Sequence, residues 1–387
     1  MRIFIVTKRQ YMGKDLLDDR FGRFRELSLE LARLGHELRG LTLSYRPRTE
    51  GTFVDEDRSD GACVTWDSVN LLNGCLPRLL RYTRRAMKVS QGFRPDVVWA
   101  CSDAFHAIVG NWLANRLGCQ SVIDLYDNFE AFRASRVPGI LPLFRSAVRA
   151  ADGVTAFSQR LASDVKKTYM RRKPTSVIES GTRKEFFYPQ DRGTCRQRLG
   201  LPENSRIIGT AGALDGSRGI DTLFDAFERL SHGSDEIHLA LAGPRQRRLR
   251  IPQGSRVHDF MELPHEEVGR FINALDIAVI CYRESAQGEF SFPQKAYEIM
   301  ACRVPMVAAA VGSMNEVLQN YPSCLYQPED PVSLANAISR QLQTKALVEG
   351  PVPSWADSGK LLSDFFAEVV NKAPLSVTPD AEPAATH

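Results

Sequence analysis

Apolar residues along this chain fall into short β-branched runs that alternate with longer stretches of helical spacing. Residues 2–6, RIFIV, form a run of the first kind, the sort buried on both faces of a parallel sheet. A polar loop follows. RFRELSLELARLGHELRGLTL then sets apolar positions three and four apart, stops at Gly35 and enters a second strand, which makes a βαβ opening. The alternation continues with PDVVWA as a strand, AFHAIVGNWLANRLG as a helix ended by glycine, and QSVIDLY as a strand. FRSAVRAAD reads as a helix, and GVTAFS and TSVIES as strands. Repeated units of this kind predict a parallel, doubly wound sheet.

The pattern restarts after GTRKEFFYPQDRG, which reads as a linker. RLGLPENSRIIGTAG leads into IDTLFDAFERL, then IHLALAG, RVHDF, EEVGRFINAL and DIAVICY, a second α/β unit of similar size. At 387 residues the chain is too long for one ordinary core. Two Rossmann-like domains are expected, at residues 1–185 and 186–350. A helix at about 355–371 packs back on the first, and the proline- and alanine-rich residues 373–387 form a disordered tail. With two such domains facing each other, the ligand site belongs in the interdomain cleft, beyond the carboxyl ends of the strands.

Composition narrows the picture only a little. Hydrophobic content of 43% and charged content of 25% are ordinary for a globular protein, and a net charge of +4 leaves only local basic patches as informative. The eight cysteines include no Cys-x-x-Cys pair, which suits reduced, buried thiols in the cytoplasm. The opening MRIFIVTKRQ is too short an apolar run for a signal peptide or a membrane span, and no other segment approaches one. A cytoplasmic chain, soluble or peripheral on a membrane, is the expectation.

Two loops carry candidate chemistry. In SFPQKAYEIMAC, Ser291 suits an N-cap and Pro293 the first helical turn, while Lys295 and Glu298 lie three residues apart on one face. Backbone N–H groups near Ser291 and Phe292, with the helix dipole, favour a phosphate, and Glu298 can accept hydrogen bonds from sugar hydroxyls. The bland alternative is a capped helix with an exposed Lys–Glu pair. The second loop, GTAGALDGSRGIDTL, has Gly209, Gly212, Gly216 and Gly219, which allow close backbone approach, and Arg218 to clamp a diphosphate. Taken alone, such a loop is often only a tight turn. Two of them in one half, each with its own cation, point to a site.

These stretches carry a family resemblance. GSRGIDTLFDAF resembles the lysine–glycine segment of glycosyltransferase family 4, retaining enzymes of the GT-B fold that act in bacterial cell-surface glycan synthesis. FPQKAYEIMACRVPMVAAAVGSMNEVL is similar to that family's P-x-K-x-x-E-x-M-A signature. HLALAGP, which includes Gly243, LPHEEVGRFINALDIAVICY, RKEFFYP and SWADSGKLLSDFF resemble further segments of the family, so the likeness covers nearly the whole chain.

The resemblance implies a nucleotide-sugar donor held by the C-terminal domain, with no cofactor and no metal. It matches Glu298 to the glutamate that binds the donor's ribose, and Arg218 to a lysine that grips the diphosphate. Two departures stand out. Ala213 replaces an arginine of the first loop, and Phe290 replaces the first glutamate of the pair, with Glu289 one residue off register as its stand-in. Lys295 is then part of the altered donor site. In SVIDLYDNFE, Tyr126 takes the place of a histidine near the reacting sugar, and Asp127 follows it.

Asp124, Asp127 and Glu130 together read either as an acidic cleft edge with a base for the acceptor hydroxyl, or as helix caps and solvated loop. Tyr11, Gly13, Lys14 and His106 are candidate acceptor contacts, and a lone histidine at a helix start is equally a structural residue. A basic helix, PRLLRYTRRAMKVSQGFR, sets Arg78, Arg81, Arg85 and Lys88 on one face. It reads as a contact for an anionic inner membrane surface, with VPGILPLF adding apolar contact, or simply as a solvated helix face. Nucleic acid is disfavoured, because no recognised module is present and the cations are not interleaved with aromatics.

The combined expectation is transfer of a sugar from a nucleotide-sugar to a lipid-linked or glycan acceptor, with retention, in lipopolysaccharide or another surface polysaccharide. One rival is a binding or scaffold protein with a weakened donor site. The other is a nicotinamide oxidoreductase, against which VTKRQYMGK lacks the Gly-x-Gly-x-x-Gly fingerprint.

Overall fold

The computed structural model describes residues 1–11, 13–57, 60–71, 76–232, 236–246, 248–290 and 294–372, with backbone alone at 76–78, 133–134 and 286–287. The proposed tail at 373–387 lies outside the described residues, as do Ser291, Phe292 and Pro293.

The first sheet is built from β1 (Arg2–Lys8), β4 (Glu37–Ser44), β5 (Gly51–Glu56), β6 (Cys63–Asn70), β7 (Val97–Ala100), β8 (Gln120–Leu125), β9 (Gly153–Ala156) and β10 (Thr175–Val177). A small hairpin of β2 (Gln10–Tyr11) and β3 (Lys14–Asp15) follows β1 and turns at Gly13. The sheet order is β10-β9-β8-β7-β1-β4-β6-β5, parallel throughout except that β5 runs antiparallel to β6. The second sheet contains β11 (Arg206–Ala211), β12 (Ile237–Ala242), β13 (Val257–Asp259), β14 (Ile277–Ile280), β15 (Met306–Ala309) and β16 (Leu325–Tyr326). Its order is β13-β12-β11-β14-β15-β16, all parallel. The architecture is the expected pair of Rossmann-like α/β units.

Burial explains why the strand runs are so uniform. Ile3, Phe4, Ile5 and Val6 in β1 are all fully buried, because helices cover both faces of the sheet. Helices at 76–93, 104–117, 140–150 and 159–168 pack on one face as a single apolar cluster. Helices 23–33 and 355–371 pack on the other, where Leu362, Phe365 and Phe366 join Trp99 and Phe24. The C-terminal helix thus belongs to the first unit's core. Its start is fixed by a reciprocal cap in which Ser354 and Asp357 exchange hydrogen bonds.

A buried ion pair joins the cleft end of β8 to helix 23–33. Arg23 donates to both oxygens of Asp124 at 3.3 and 3.0 Å, to the Ile178 carbonyl at 2.7 Å and to Ser180 at 3.3 Å. Thr155 donates to Asp124 at 3.0 Å. With both charges taken from water, only this degree of satisfaction makes the pair tolerable. Asp124 is therefore a structural anchor and not part of an open acidic edge.

Candidate active site

The carboxyl ends of β1, β8, β11, β12 and β14 converge on an interdomain cleft of 1120 Å³. From the N-terminal side it is lined by Tyr11, Lys14, Tyr126 and Asp127, and from the C-terminal side by Gly212, Ala213, Arg218, Gly243, Tyr282, Lys295 and Glu298.

Two glycines shape the C-terminal floor. Gly212 has φ of 117° and donates its N–H to the Ala242 carbonyl at 2.7 Å. The end of the Lys295 side chain lies where a Cβ on Gly212 would stand. Gly243, at φ 139°, has the Gly212 carbonyl in the equivalent place. Any side chain at 212 would be strained and would expel the lysine. Helix 294–301 brings Lys295 and Glu298 to this floor within its first turn and a half, as their spacing predicts.

Burial dominates the electrostatics. It lowers Lys295 to about 8, helped by Arg218 and opposed by Glu298 and Cys281. It raises Glu298 to about 7, opposed by Lys295. Arg218 ends a single 3-10 turn, Gly216–Arg218, in which its N–H donates to the Asp215 carbonyl at 2.9 Å, while its guanidinium makes no hydrogen bond or ion pair among the described residues. The turn is held from behind. Arg283 donates to the Gly216 carbonyl at 2.7 Å and to Asp221 at 2.7 Å, and also pairs with Glu329.

On the opposite wall, Lys8 donates from Nζ to Tyr126 Oη at 2.8 Å. The Tyr126 ring meets Tyr11 edge-on at 5.1 Å, and burial pushes its phenol well above the usual range. Burial also raises Asp127, while the Asn128 N–H, Lys8 and Arg218 pull the other way. Asp127 is thus a carboxyl of the N-terminal wall that feels the free arginine of the C-terminal wall.

Several expectations need correction. His106 is fully buried, with Nδ1 2.7 Å from Asp103 and its ring against Tyr82 and Phe105, so it does not reach the cleft as an acceptor contact. Glu130 is engaged by Arg145 at 2.9 and 2.7 Å and by Tyr169 at 2.7 Å. Glu289 does not line the cleft, because it pairs with Arg160 of the N-terminal domain. Phe290 beside it packs on the N-terminal apolar core. Gly13 forms the hairpin turn at φ 86° and Gly216 is held through its carbonyl, and neither lines the cleft. In the basic helix, Arg81 pairs with Glu50 and Arg85 with Asp67, while Lys88 is exposed and the Arg78 side chain lies outside the described residues.

Lys8, Tyr282 and Arg283 were not expected from the sequence. Lys8 ends β1 and Tyr282 lies two residues beyond β14, where position at a carboxyl end was the available signal. Arg283 acts through a fold contact 67 residues away, which spacing does not reveal.

Comparison with known proteins adds the family. Residues 205–344 match a model described as "Glycosyl transferases group 1", and residues 23–181 match a "Glycosyl transferase 4-like domain". Together these segments include Tyr126 and Asp127 on one wall of the cleft and Gly212, Arg218, Lys295 and Glu298 on the other. The chain belongs to the family 4-like glycosyltransferases. Among the family's members, a D-inositol 3-phosphate glycosyltransferase of Nocardioides sp. is 28% identical over 223 residues, 49% of this chain and 47% of the relative. A glycosyltransferase provisionally named for teichuronic acid biosynthesis in Bacillus subtilis is 28% identical over 205 residues, 52% of this chain and 50% of the relative. The chain spans about half the length of the curated relatives it matches.

Solved structures extend the likeness across the fold. Sucrose-phosphate synthase from Thermosynechococcus elongatus superposes with a TM-score of 0.69 at 21% identity, covering 96% of this chain and 94% of that one. Anabaena Alr3699/HepE, solved in complex with UDP, gives 0.66 at 18% identity, with 96% and 98% covered. The fold is therefore GT-B, as the resemblance implies.

Proposed function

We propose that this chain transfers a sugar from a nucleotide-sugar donor to an acceptor hydroxyl with retained anomeric configuration. One observation carries the reading. Two cations from separate strand-to-helix loops, Arg218 and Lys295, converge beside Glu298 on a glycine floor, opposite Asp127.

The donor diphosphate lies between Arg218 and Lys295, and Glu298 accepts hydrogen bonds from the ribose hydroxyls. As the bond from the anomeric carbon to the diphosphate breaks, the two fixed cations take up the developing charge in a site partly removed from water. No enzymic nucleophile is needed. The acceptor oxygen bonds to the anomeric carbon from the face the diphosphate leaves, which retains configuration, and its proton passes to Asp127. Tyr126 and Tyr11 orient the acceptor, and Lys14 borders its entry.

The UDP complex of the Anabaena neighbour supports a uridine donor, and the name of the Bacillus relative supports a surface-glycan acceptor. A lipid-linked acceptor of lipopolysaccharide or a similar polymer would bring the enzyme to an anionic inner membrane face. A binding role is the second reading, favoured by Ala213 and Phe290 and by the pairing of Glu289 away from the cleft.

Calorimetry against uridine, guanosine and thymidine diphospho-sugars tests the proposal. Micromolar to millimolar binding of one of them is expected, and binding of none overturns it. Product formed with a glycan acceptor separates transferase from binding module.

A further inference from the structure

The four helices on the first sheet's outer layer, 76–93, 104–117, 140–150 and 159–168, contain eleven lysines and arginines and one acid, Asp164. The whole chain is nearly balanced, with 50 basic and 46 acidic residues, so the imbalance is local to this layer. Arg81, Arg85, Arg145 and Arg160 are neutralised by acids elsewhere in the chain. Arg84, Lys88, Arg116, Arg149, Lys166 and Lys167 have no ion pair among the described residues, and all six are exposed.

The same layer exposes large apolar side chains. Leu80, Trp112 and Leu143 on these helices, with Val137 just before helix 140–150 and Met170 just after helix 159–168, are all open to solvent, Val137 and Leu143 each 55% exposed. Trp112 lies against Arg116, whose guanidinium is 5.9 Å from the indole ring centre. Each helix has already buried its other side in the sheet, through residues such as Tyr82, Leu113, Phe144 and Leu161. These outward apolar groups therefore contribute nothing to the core. Solvated cations beside an exposed tryptophan and aliphatic side chains suit a bilayer interface, where the charges meet headgroups and the apolar tips enter the acyl boundary.

We propose that this helix layer is a docking surface for an anionic lipid bilayer, with Val137 and Leu143 inserted and Arg84, Arg149 and Lys167 among the headgroup contacts. The surface differs from the one expected on helix 76–93 alone, since two of that helix's four expected cations are neutralised. Val137 lies ten residues beyond Asp127 along the chain, and docking through this layer would bring the enzyme to a membrane that carries a lipid-linked acceptor. This placement draws on the proposed lipid-linked acceptor, but the docking itself does not depend on it.

Vesicle flotation with the full chain tests the surface. Vesicles of phosphatidylcholine are compared with vesicles carrying about one third phosphatidylglycerol, at low and high salt. Binding to the anionic vesicles alone, weakened by salt, is expected. Reversing three charges, Arg84→Glu with Arg149→Glu and Lys167→Glu, should lower it on the order of a hundredfold or more. Val137→Ser with Leu143→Ser should lower it about tenfold. Leu361→Ser, at an exposed site on helix 355–371, should change nothing.

Retained nucleotide binding by each variant shows that the fold is intact. Failure of the native chain to float with anionic vesicles, or undiminished flotation of the charge-reversed chain, overturns the proposal. Tighter binding to double-stranded DNA than to anionic vesicles also overturns it, in favour of a nucleic-acid face. Loss of nucleotide binding by the native chain would count against the transferase reading and leave this one standing.

Discussion

Lys295 and Glu298 are each pushed toward neutrality by the burial that makes them useful. With Glu298 raised to about 7, its carboxylate is complete only above that pH, and in the proposed donor complex the ionised form accepts the ribose hydrogen bonds more strongly than the neutral acid. With Lys295 lowered to about 8, its ammonium is complete only below that pH, and the diphosphate requires the charge. Affinity for an intact nucleotide-sugar should therefore rise through pH 7 and fall through pH 8, giving a narrow optimum between them. A nucleotide-sugar is the right probe because its diphosphate diester does not titrate in this window. Calorimetry from acid to alkaline pH should show the bell, with Glu298→Gln removing the acid limb and Lys295→Met the alkaline one. A flat profile would mean that neither group meets the donor. At Gly212 the expectation is steric. Gly212→Ala places a methyl on the lysine and forces an L-residue to φ of 117°, a strain of about 1–3 kcal/mol. It should lower both thermal stability and donor affinity, the latter roughly tenfold through loss of the lysine's position.

At the level of elements, the glycine-rich loop shows how a free arginine is kept ready. The Arg218 guanidinium has no hydrogen bond or ion pair among the described residues, yet its turn is fixed because Arg283 grips the Gly216 carbonyl and Asp221 at 2.7 Å each. Gly219 closes the turn at φ 78°, with the Arg283 stem 3.3 Å from where its Cβ would be. Arg283→Ala should cost roughly tenfold in affinity for a nucleoside diphosphate and leave the monophosphate of the same base almost unchanged. Equal losses for both nucleotides would show a general disturbance of the domain instead. Lysine would be a poor replacement, since it lacks the fork that spans two acceptors. This kind of support is what linear pattern does not display. Continuous apolar strands such as β1 and β12 were legible because helices cover both of their faces, and Lys295 with Glu298 because one helical turn fixes their common side. The antiparallel pair of β5 and β6 went unread, since β5 is an edge strand with most of its residues exposed and no apolar run. His106 and Glu289 were misplaced for different reasons. His106 is held by a local cap, three residues from Asp103 at its own helix start, while the partner of Glu289, Arg160, comes from the other domain through a tertiary contact that spacing does not show.

Across the whole molecule, the chain passes between domains twice, and the two crossings lie side by side. Thr182 donates its N–H to the Pro353 carbonyl at 2.8 Å, and Gly181 fits where any Cβ would strike the Trp355 backbone. Away from this hinge the domains meet through a Phe21–His265 ring contact at 5.9 Å, a Tyr297–Glu179 hydrogen bond at 3.5 Å and exposed ion pairs. Lys14 pairs with Glu262 at the cleft rim, and Arg160 pairs with Glu289 and stands 3.9 Å from Glu316. Phe290 rests on the N-terminal core beside them. These side chains are roughly two-fifths to one-half exposed, so each pair contributes about 0–1 kcal/mol and is screened by salt. Closure of the ligand-free protein is then a weak bias, which a donor contacting both walls can strengthen. Replacing Lys14 and Arg160 together by serine should open the ligand-free protein, seen as a larger radius of gyration by small-angle scattering. Saturating donor should restore the native value. Donor affinity should fall by roughly three- to thirtyfold, the factor by which the competent population shrinks. Glu289→Gln should behave like Arg160→Ser, and combining them should add nothing further. If Glu289→Gln weakened donor binding well beyond Arg160→Ser, the carboxylate would be a donor ligand after all, released from Arg160 when the cleft is filled.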